Sequence, residues 1–162
     1  MSALDPDRFR EAMSHFASGL TVVTTRQGGI DHAMTANAFT SVSLDPPLVL
    51  VCVEKSARFH QAVALSRYWG ASILTGLQAD VARWLATRGR PLDGQLAKIP
   101  HRRGEHTGAA LLDEALCRLE CRTWEMYDGG DHTIVVGEVV WLDASDTDEP
   151  AMVWFRSSFG SL

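Results

Sequence analysis

The stretch from His32 to Ser43 concentrates small and hydroxyl-bearing side chains: Ala33, Thr35, Ala36, Ala38, Thr40, Ser41 and Ser43. Only Met34, Phe39 and Val42 are sizeable apolar groups there. A strand so poor in bulk leaves room for another body to pack on it. Its backbone amides and short side chains suit a flat, polar-edged ring system, with Asn37 and the hydroxyls meeting the heteroatoms. An edge strand with solvated hydroxyls accounts for the same composition equally well.

Other chemistry-bearing residues carry weaker signals. In a strand, the four-residue step from Cys117 to Cys121 spans about 13 Å, too far for one ion to bridge. Both read as small core side chains, and no metal site is expected. The six histidines lie at positions 15, 32, 60, 101, 106 and 132 without zinc-like spacing, and His101 and His106 fall in a polar segment that reads as solvated. There is no Gly-x-Ser-x-Gly elbow, no phosphate-binding P-loop and no Gly-x-Gly-x-x-Gly after a strand. The last absence removes the usual dinucleotide-binding βαβ unit.

Stepping outward to the elements, Asp5-Pro6 is a helix start, and Phe9, Ala12, Met13 and Phe16 recur at helical spacing, so one face is expected to pack inward until Gly19 ends the helix. Leu20 to Thr25 is β-branched and reads as a strand closed by a turn at Gly28-Gly29. Asp45-Pro46-Pro47 ends the hydroxyl-rich strand. Leu48 to Val53 is continuously apolar, as a central strand buried on both faces would be. Phe59, Ala62, Val63 and Ser66 fit a short helix, Trp69 to Leu74 a strand, and Gln78 to Arg88 a helix with Val81, Trp84 and Leu85 on one side.

Gly89 to Gly108 is rich in Gly, Pro, Arg and His and is expected to be a mobile loop. Leu116 to Tyr127 alternates, with Cys117, Leu119 and Cys121 on one face and Arg118, Glu120 and Arg122 on the other. Asp128 to Asp131 signals a hairpin turn into His132 to Trp141, and a last strand lies near Ala151 to Phe155. Many strands, few helices and tight turns make the class mainly β: a closed or partly closed antiparallel β-barrel with peripheral helices.

The 162 residues fit a single domain, expected over 1–162, and the 46% hydrophobic, 22% charged composition is that of a globular protein. A net charge of −5 with interspersed signs argues against nucleic-acid binding through a basic face. No secretory leader and no apolar run of membrane-spanning length is present, and three irregularly placed cysteines suit a reducing compartment, so a cytoplasmic location is expected.

The segments Gly19 to Thr25 and Met34 to Val49 resemble the signature of the short-chain flavin reductases, the small components of two-component flavin-dependent monooxygenases. Cys52-Val53, Leu119-Glu120-Cys121, Gly130-Asp131-His132, Gly137-Glu138-Val139 and Trp154 to Phe159 match in the same order, so the similarity spans nearly the whole chain. The resemblance implies an FMN-binding split barrel, usually a homodimer with sites near the subunit interface. It implies an enzyme that reduces FMN or FAD with NADH or NADPH and passes reduced flavin to a partner monooxygenase.

By this resemblance Thr35, Ala36, Asn37 and Ala38 would line the isoalloxazine ring, with Ser41, Val42 and Ser43 along ring and ribityl chain and Cys52 and Val53 beside them. The turn Glu54, Lys55, Ser56 and Arg58 would face the flavin phosphate. Asp131 and His132 would sit where nicotinamide arrives, His132 as a positioning residue, with Arg156 nearby. The chain departs from the pattern at Arg58 and Phe59, where many relatives carry Ser or Thr, and at Trp84, where relatives tend to have arginine. A flavin carrier or an oxidase-like split barrel that retains its flavin is the alternative.

Overall fold

The computed structural model describes residues 4–162. Its frame is a seven-stranded antiparallel sheet built from β2 (Thr21–Gln27), β3 (Ile30–Ala36), β4 (Phe39–Leu44), β5 (Pro47–Glu54), β6 (Tyr68–Ile73), β9 (Cys117–Gly129) and β10 (His132–Ala144). The order across the sheet is β3-β2-β6-β9-β10-β5-β4. β2 and β3 form a hairpin whose two central residues, Gly28 (φ 58) and Gly29 (φ 81), are both left-handed, as the twist of a two-residue loop demands.

The decisive feature of this order lies between β3 and β4. They stand at opposite edges of the sheet, yet only Asn37 and Ala38 separate them in sequence. The sheet must therefore curl until its edges nearly meet. β3 and β4 themselves are not hydrogen-bonded neighbours, and the bond from the Cys52 N–H to the Ala38 carbonyl at 3.0 Å only extends the β4–β5 ladder past Phe39–Val51. The result is a barrel split along one side, as expected from the sequence.

Two apolar clusters hold it. The barrel interior contains Val23, Val51, Val53, Trp69, Cys121 and Val135, and α2 (Arg58–Ser66) plugs one end with Phe59 and Val63. The second cluster lies outside the barrel wall, where Val22, Leu74, Leu85, Leu96, Leu112 and Met152 bring together β2, β6, α3 (Ala79–Ala86) and the segment after it. Each such fully buried aliphatic side chain contributes about 1.5–3 kcal/mol relative to exposure. Two small sheets complete the fold: β7 (His101–Arg103) with β8 (Ala110–Leu112), and β11 (Met152–Phe155) between β1 (Ser18–Gly19) and β12 (Ser158–Ser161).

Several expectations are corrected. The helix α1 spans Pro6–Met13 with Asp5 capping the Asp7 N–H, but it ends at Ser14, and Gly19 lies in β1. Phe9 and Met13 on its apolar face, and Phe16 just beyond it, are not packed inward: they are 56%, 50% and 71% exposed. His32 to Ser43 is two strands, not one, because Asn37-Ala38 must carry the chain across the seam. Strands buried on both faces are β2, whose Val22 and Val23 point into different clusters, and β6, buried from Trp69 to Ser72; β5 is next to the edge and alternates, with Val49, Val51 and Val53 inward. After α3, the expected loop 89–108 is anchored by buried Gln95, Leu96 and Ile99 and contains β7.

In α3 the buried residues are Ala82 and Leu85, while Trp84 stays 40% exposed and donates its indole N–H to the Gln95 carbonyl. The final strand is two, β11 and β12. On β9 the polar face is not all solvated, because the segment carrying β7 and β8 covers it. Glu120 is buried and its Oε2 accepts from the Thr107 N–H, Thr107 hydroxyl and His106 N–H at 2.7–3.0 Å. Buried Arg118 donates to Asp143 and to the Leu112 and Asp113 carbonyls.

Gly137 sits at a register shift in β10, where an added Cβ would lie 2.5 Å from Trp69 Cζ2 and 3.0 Å from Cys121 Cβ. Both neighbours are rigid parts of the barrel interior. Gly137→Ala is expected to destabilise the fold by about 1–3 kcal/mol through overpacking, read as a lower midpoint in chemical denaturation with an unchanged slope.

Candidate functional site

A cleft of about 470 Å³ opens where three pieces of chain converge: His32–Thr35 of β3, the turn from Glu54 into α2, and residues 85–95 after α3. Its size falls within the range of small-molecule sites. The walls are tied to one another by named bonds. Arg90 donates to the Ala33 carbonyl, to the Thr87 carbonyl at 2.9 Å and to Gln95 Oε1 at 3.2 Å. Gln95 in turn donates to the Asp31 carbonyl at 2.7 Å, and the Thr35 hydroxyl donates to the Ala82 carbonyl of α3 at 2.7 Å.

The turn side of the cleft is a small charged array. Ser56 Oγ donates to Glu54 Oε1 at 2.5 Å, and Arg88 reaches across to Glu54 Oε2 at 2.7 Å. Arg58, in the first turn of α2, donates to the Arg90 carbonyl at 2.8 Å. The Ser56 hydrogen bond, then the charge of Arg88, hold the Glu54 carboxyl below the usual range. Burial, then the positive Arg58, hold His32 below the ordinary histidine value. Its Nδ1 is buried without a hydrogen-bond partner.

The hairpin between β9 and β10 docks on this turn. His132 lies cross-strand from Glu54, and the Lys55 N–H donates to the Asp131 carbonyl at 3.0 Å. Lys55 Nζ is engaged by Asp128 and by the Gly130 carbonyl. His132 Nδ1 bonds Asp131 Oδ1 at 2.7 Å, which fixes the ring's orientation and holds the Asp131 carboxyl low.

Of the residues expected at a site, the cleft itself gathers Thr35, Glu54, Ser56 and Arg58. Asn37, Ala38, Ser41 and Val42 lie exposed along the seam and edge strand β4, with Ser43 half-buried and Val42 at a bulge. Cys52 is half-buried beside Ala38, and burial pushes its thiol up. Ala36 and Val53 point into the barrel core, so only their backbone is available to a ligand. Arg156 is apart from the cleft: it occupies the left-handed turn between β11 and β12, its N–H bonded to the Ser14 carbonyl and its guanidinium over the Phe155 ring.

Sequence reasoning missed His32, Arg88, Arg90 and Gln95 as cleft residues. The one available signal was the pair of arginines flanking Gly89 directly after a helix; what aims them into a cleft is the tertiary anchoring of Gln95 and Leu96.

Residues 13–162 match the family described as flavin reductase like domain. The chain belongs to this family. It is 42% identical over 137 residues to an NADH-dependent FAD reductase of Streptomyces globisporus, covering 84% of this chain and 75% of that protein. It is 37% identical to the reductase component of a 4-nitrophenol 4-monooxygenase/4-nitrocatechol 2-monooxygenase of Rhodococcus opacus, covering 99% and 83%.

In structure it superposes with a TM-score of 0.92 on BorF, the flavin reductase component of a bacterial two-component tryptophan halogenase, at 44% identity over 98% of each chain. The resemblance read from the sequence and the split-barrel architecture are both borne out. As a member of the flavin reductase like family, the chain also passes a physical test for a flavin: a cleft of the right size, small side chains beside it, guanidinium donors for a phosphate, and an orphaned buried ring nitrogen on His32.

One cleft wall is pinned by Asp31, whose carboxylate takes Arg103 Nη1 at 2.5 Å and Nη2 at 3.0 Å. Burial raises this carboxyl, but the bond and charge of Arg103 outweigh it and leave the net shift downward from 3.8. A lowered folded-state value means the stabilisation is present above the unfolded value and is lost as pH falls through the folded one. Asp31→Asn is therefore expected to lower stability at neutral pH, and the deficit against the unsubstituted protein should shrink below about pH 4, measured by thermal melts across a pH series.

Proposed function

We propose that this chain is an NADH-dependent flavin reductase that transfers hydride to FAD or FMN and releases the reduced flavin to a flavin-dependent monooxygenase or related partner. The observation that carries this reading is the convergence of Thr35 from the hydroxyl-rich segment with Ser56 and Arg58 from the turn after β5 on one cleft in a family member, with His132 beside it, cross-strand from the lining residue Glu54. When bound, the flavin ring supplies the two-electron acceptor for hydride from nicotinamide C4. The chain's own work is alignment, worth a large share of such a barrier without any nucleophile or metal.

In this reading Thr35, Asn37 and Ala38, with the backbone of Ala36, border the ring, and Ser41, Val42 and Ser43 continue the surface toward the ribityl chain, flanked by Cys52 and the backbone of Val53. Ser56 and Arg58 receive the phosphate, while Lys55, already bonded to Asp128, buttresses the hairpin. Asp131 orients His132 at the rim so that its free Nε2 meets the incoming nicotinamide. Arg156 has no part in the cleft of the single chain and would act only as part of an assembled dimer.

A homodimer is supported by the apolar side chains left in solvent: Phe9 and Met13 on α1, Phe16 just after it, and Trp124, Tyr127 and Leu142 on β9 and β10. A cytoplasmic location fits the three free cysteines, and no helix among the described residues is long and apolar enough to cross a membrane.

Loss of nicotinamide absorbance should require added flavin and saturate with FAD or FMN; flavin retained without NADH consumption would instead mark a carrier or oxidase-like barrel. Light scattering should give twice the chain mass. His132→Ala should raise the KM for NADH several-fold, about 1 kcal/mol of lost positioning, with flavin affinity unchanged; equal losses in kcat and KM-independent binding would contradict a positioning role.

A further inference from the structure

The three arginines of the cleft differ in what they are free to do. Arg90 is committed to the Ala33 and Thr87 carbonyls and to Gln95, so it is part of the wall. Arg58 spends one N–H on the Arg90 carbonyl. Arg88 bonds only to Glu54 among the described residues, and its side chain is 84% exposed against 34% for Glu54. Glu54 is the fixed member of that pair: it ends β5, is flanked in the sheet by His132, and has its other oxygen held by Ser56. Arg88 is the movable one, and whatever it offers an incoming anion is offered against the pull of Glu54.

We infer that Glu54 is a built-in competitor for the flavin phosphate, holding Arg88 across the cleft so that a phosphorylated flavin must exchange places with the carboxylate. This rests on the flavin reductase reading above. The exchange is physically easy, because an exposed ion pair contributes at most about 1 kcal/mol, whereas a guanidinium meets a phosphate through paired charge-assisted hydrogen bonds. It is also easily reversed. The displaced carboxylate stays on β5 beside the phosphate and takes Arg88 back, which shortens the residence of the flavin. The device acts on the phosphate alone. A flavin without one, riboflavin, leaves the Glu54–Arg88 pair undisturbed.

The test compares dissociation constants of FMN and riboflavin, by flavin fluorescence, for the full chain and for Glu54→Gln, Arg88→Gln and the double variant. Glu54→Gln should tighten FMN about fivefold and leave riboflavin unchanged, and the tightening should vanish in the Arg88→Gln background. In turnover the KM for FMN should fall while that for riboflavin holds.

An unchanged FMN constant in Glu54→Gln, a shift of equal size for riboflavin, or a shift that persists without Arg88 would each overturn the exchange. Should the unsubstituted chain bind FMN and oxidise NADH in the same experiment, such a failure falls on Glu54 alone. A chain that does neither would remove the reductase reading itself, and this inference with it.

Discussion

Two residues, Asn37 and Ala38, carry the chain from one edge of the seven-stranded sheet to the other, and almost everything else in the molecule follows from that short step. A flat sheet of this order would place β3 and β4 about 30 Å apart, given strand spacings near 4.8 Å, far beyond what two residues span. Curling is therefore compulsory. The curl creates an interior that must be filled, which Trp69 and the inward valines do, and an open end that α2 stops with Phe59 and Val63. It also leaves a seam between β3 and β4 that no strand ladder closes.

The cleft is a consequence of that seam. Because β3 is not paired on its free side along its length, the segment after α3 can lie against it, and Arg90 and Gln95 bond to the backbone carbonyls that an eighth strand would have used. A split barrel thus exchanges part of a backbone ladder for side-chain donors. Those donors are one arginine and one glutamine, and Arg90 together with Arg58 and Arg88 brings positive charge to the mouth of the barrel. The acidic net charge of the chain gives no hint of this local excess.

Most strands were legible in the sequence because β-branched alternation and glycine turns report directly on pairing: Thr21–Gln27, the Gly28-Gly29 turn and the Asp128 to Asp131 hairpin all stand where the pattern put them. What failed were inferences about which side of an element is covered. The apolar stripe of α1 and the residues after it reads the same whether the chain's own core or another surface covers it, and the chain's own core leaves Phe9 and Phe16 exposed. Arg118 and Glu120 look like a solvent face until β7 and β8 are laid over them. At the cleft, Thr35, Ser56 and Arg58 were found through local motif and family likeness, whereas His32, Arg88 and Arg90 depend on contacts between distant parts of the chain, such as Arg90 to Ala33 and Arg88 to Glu54, which no local pattern encodes.

β2 has a consequence for how the molecule comes apart. Its Val22 belongs to the outer cluster with Leu85 and Leu96, and its Val23 to the barrel interior with Trp69 and Val135. Adjacent residues on one rigid strand therefore serve two cores at once. Neither cluster can loosen without withdrawing the strand that walls the other, so the cleft side and the barrel form one cooperative unit rather than separate foldons. Opening of the cleft must consequently come from the short tethers at its mouth, while the frame that aims them stays shut.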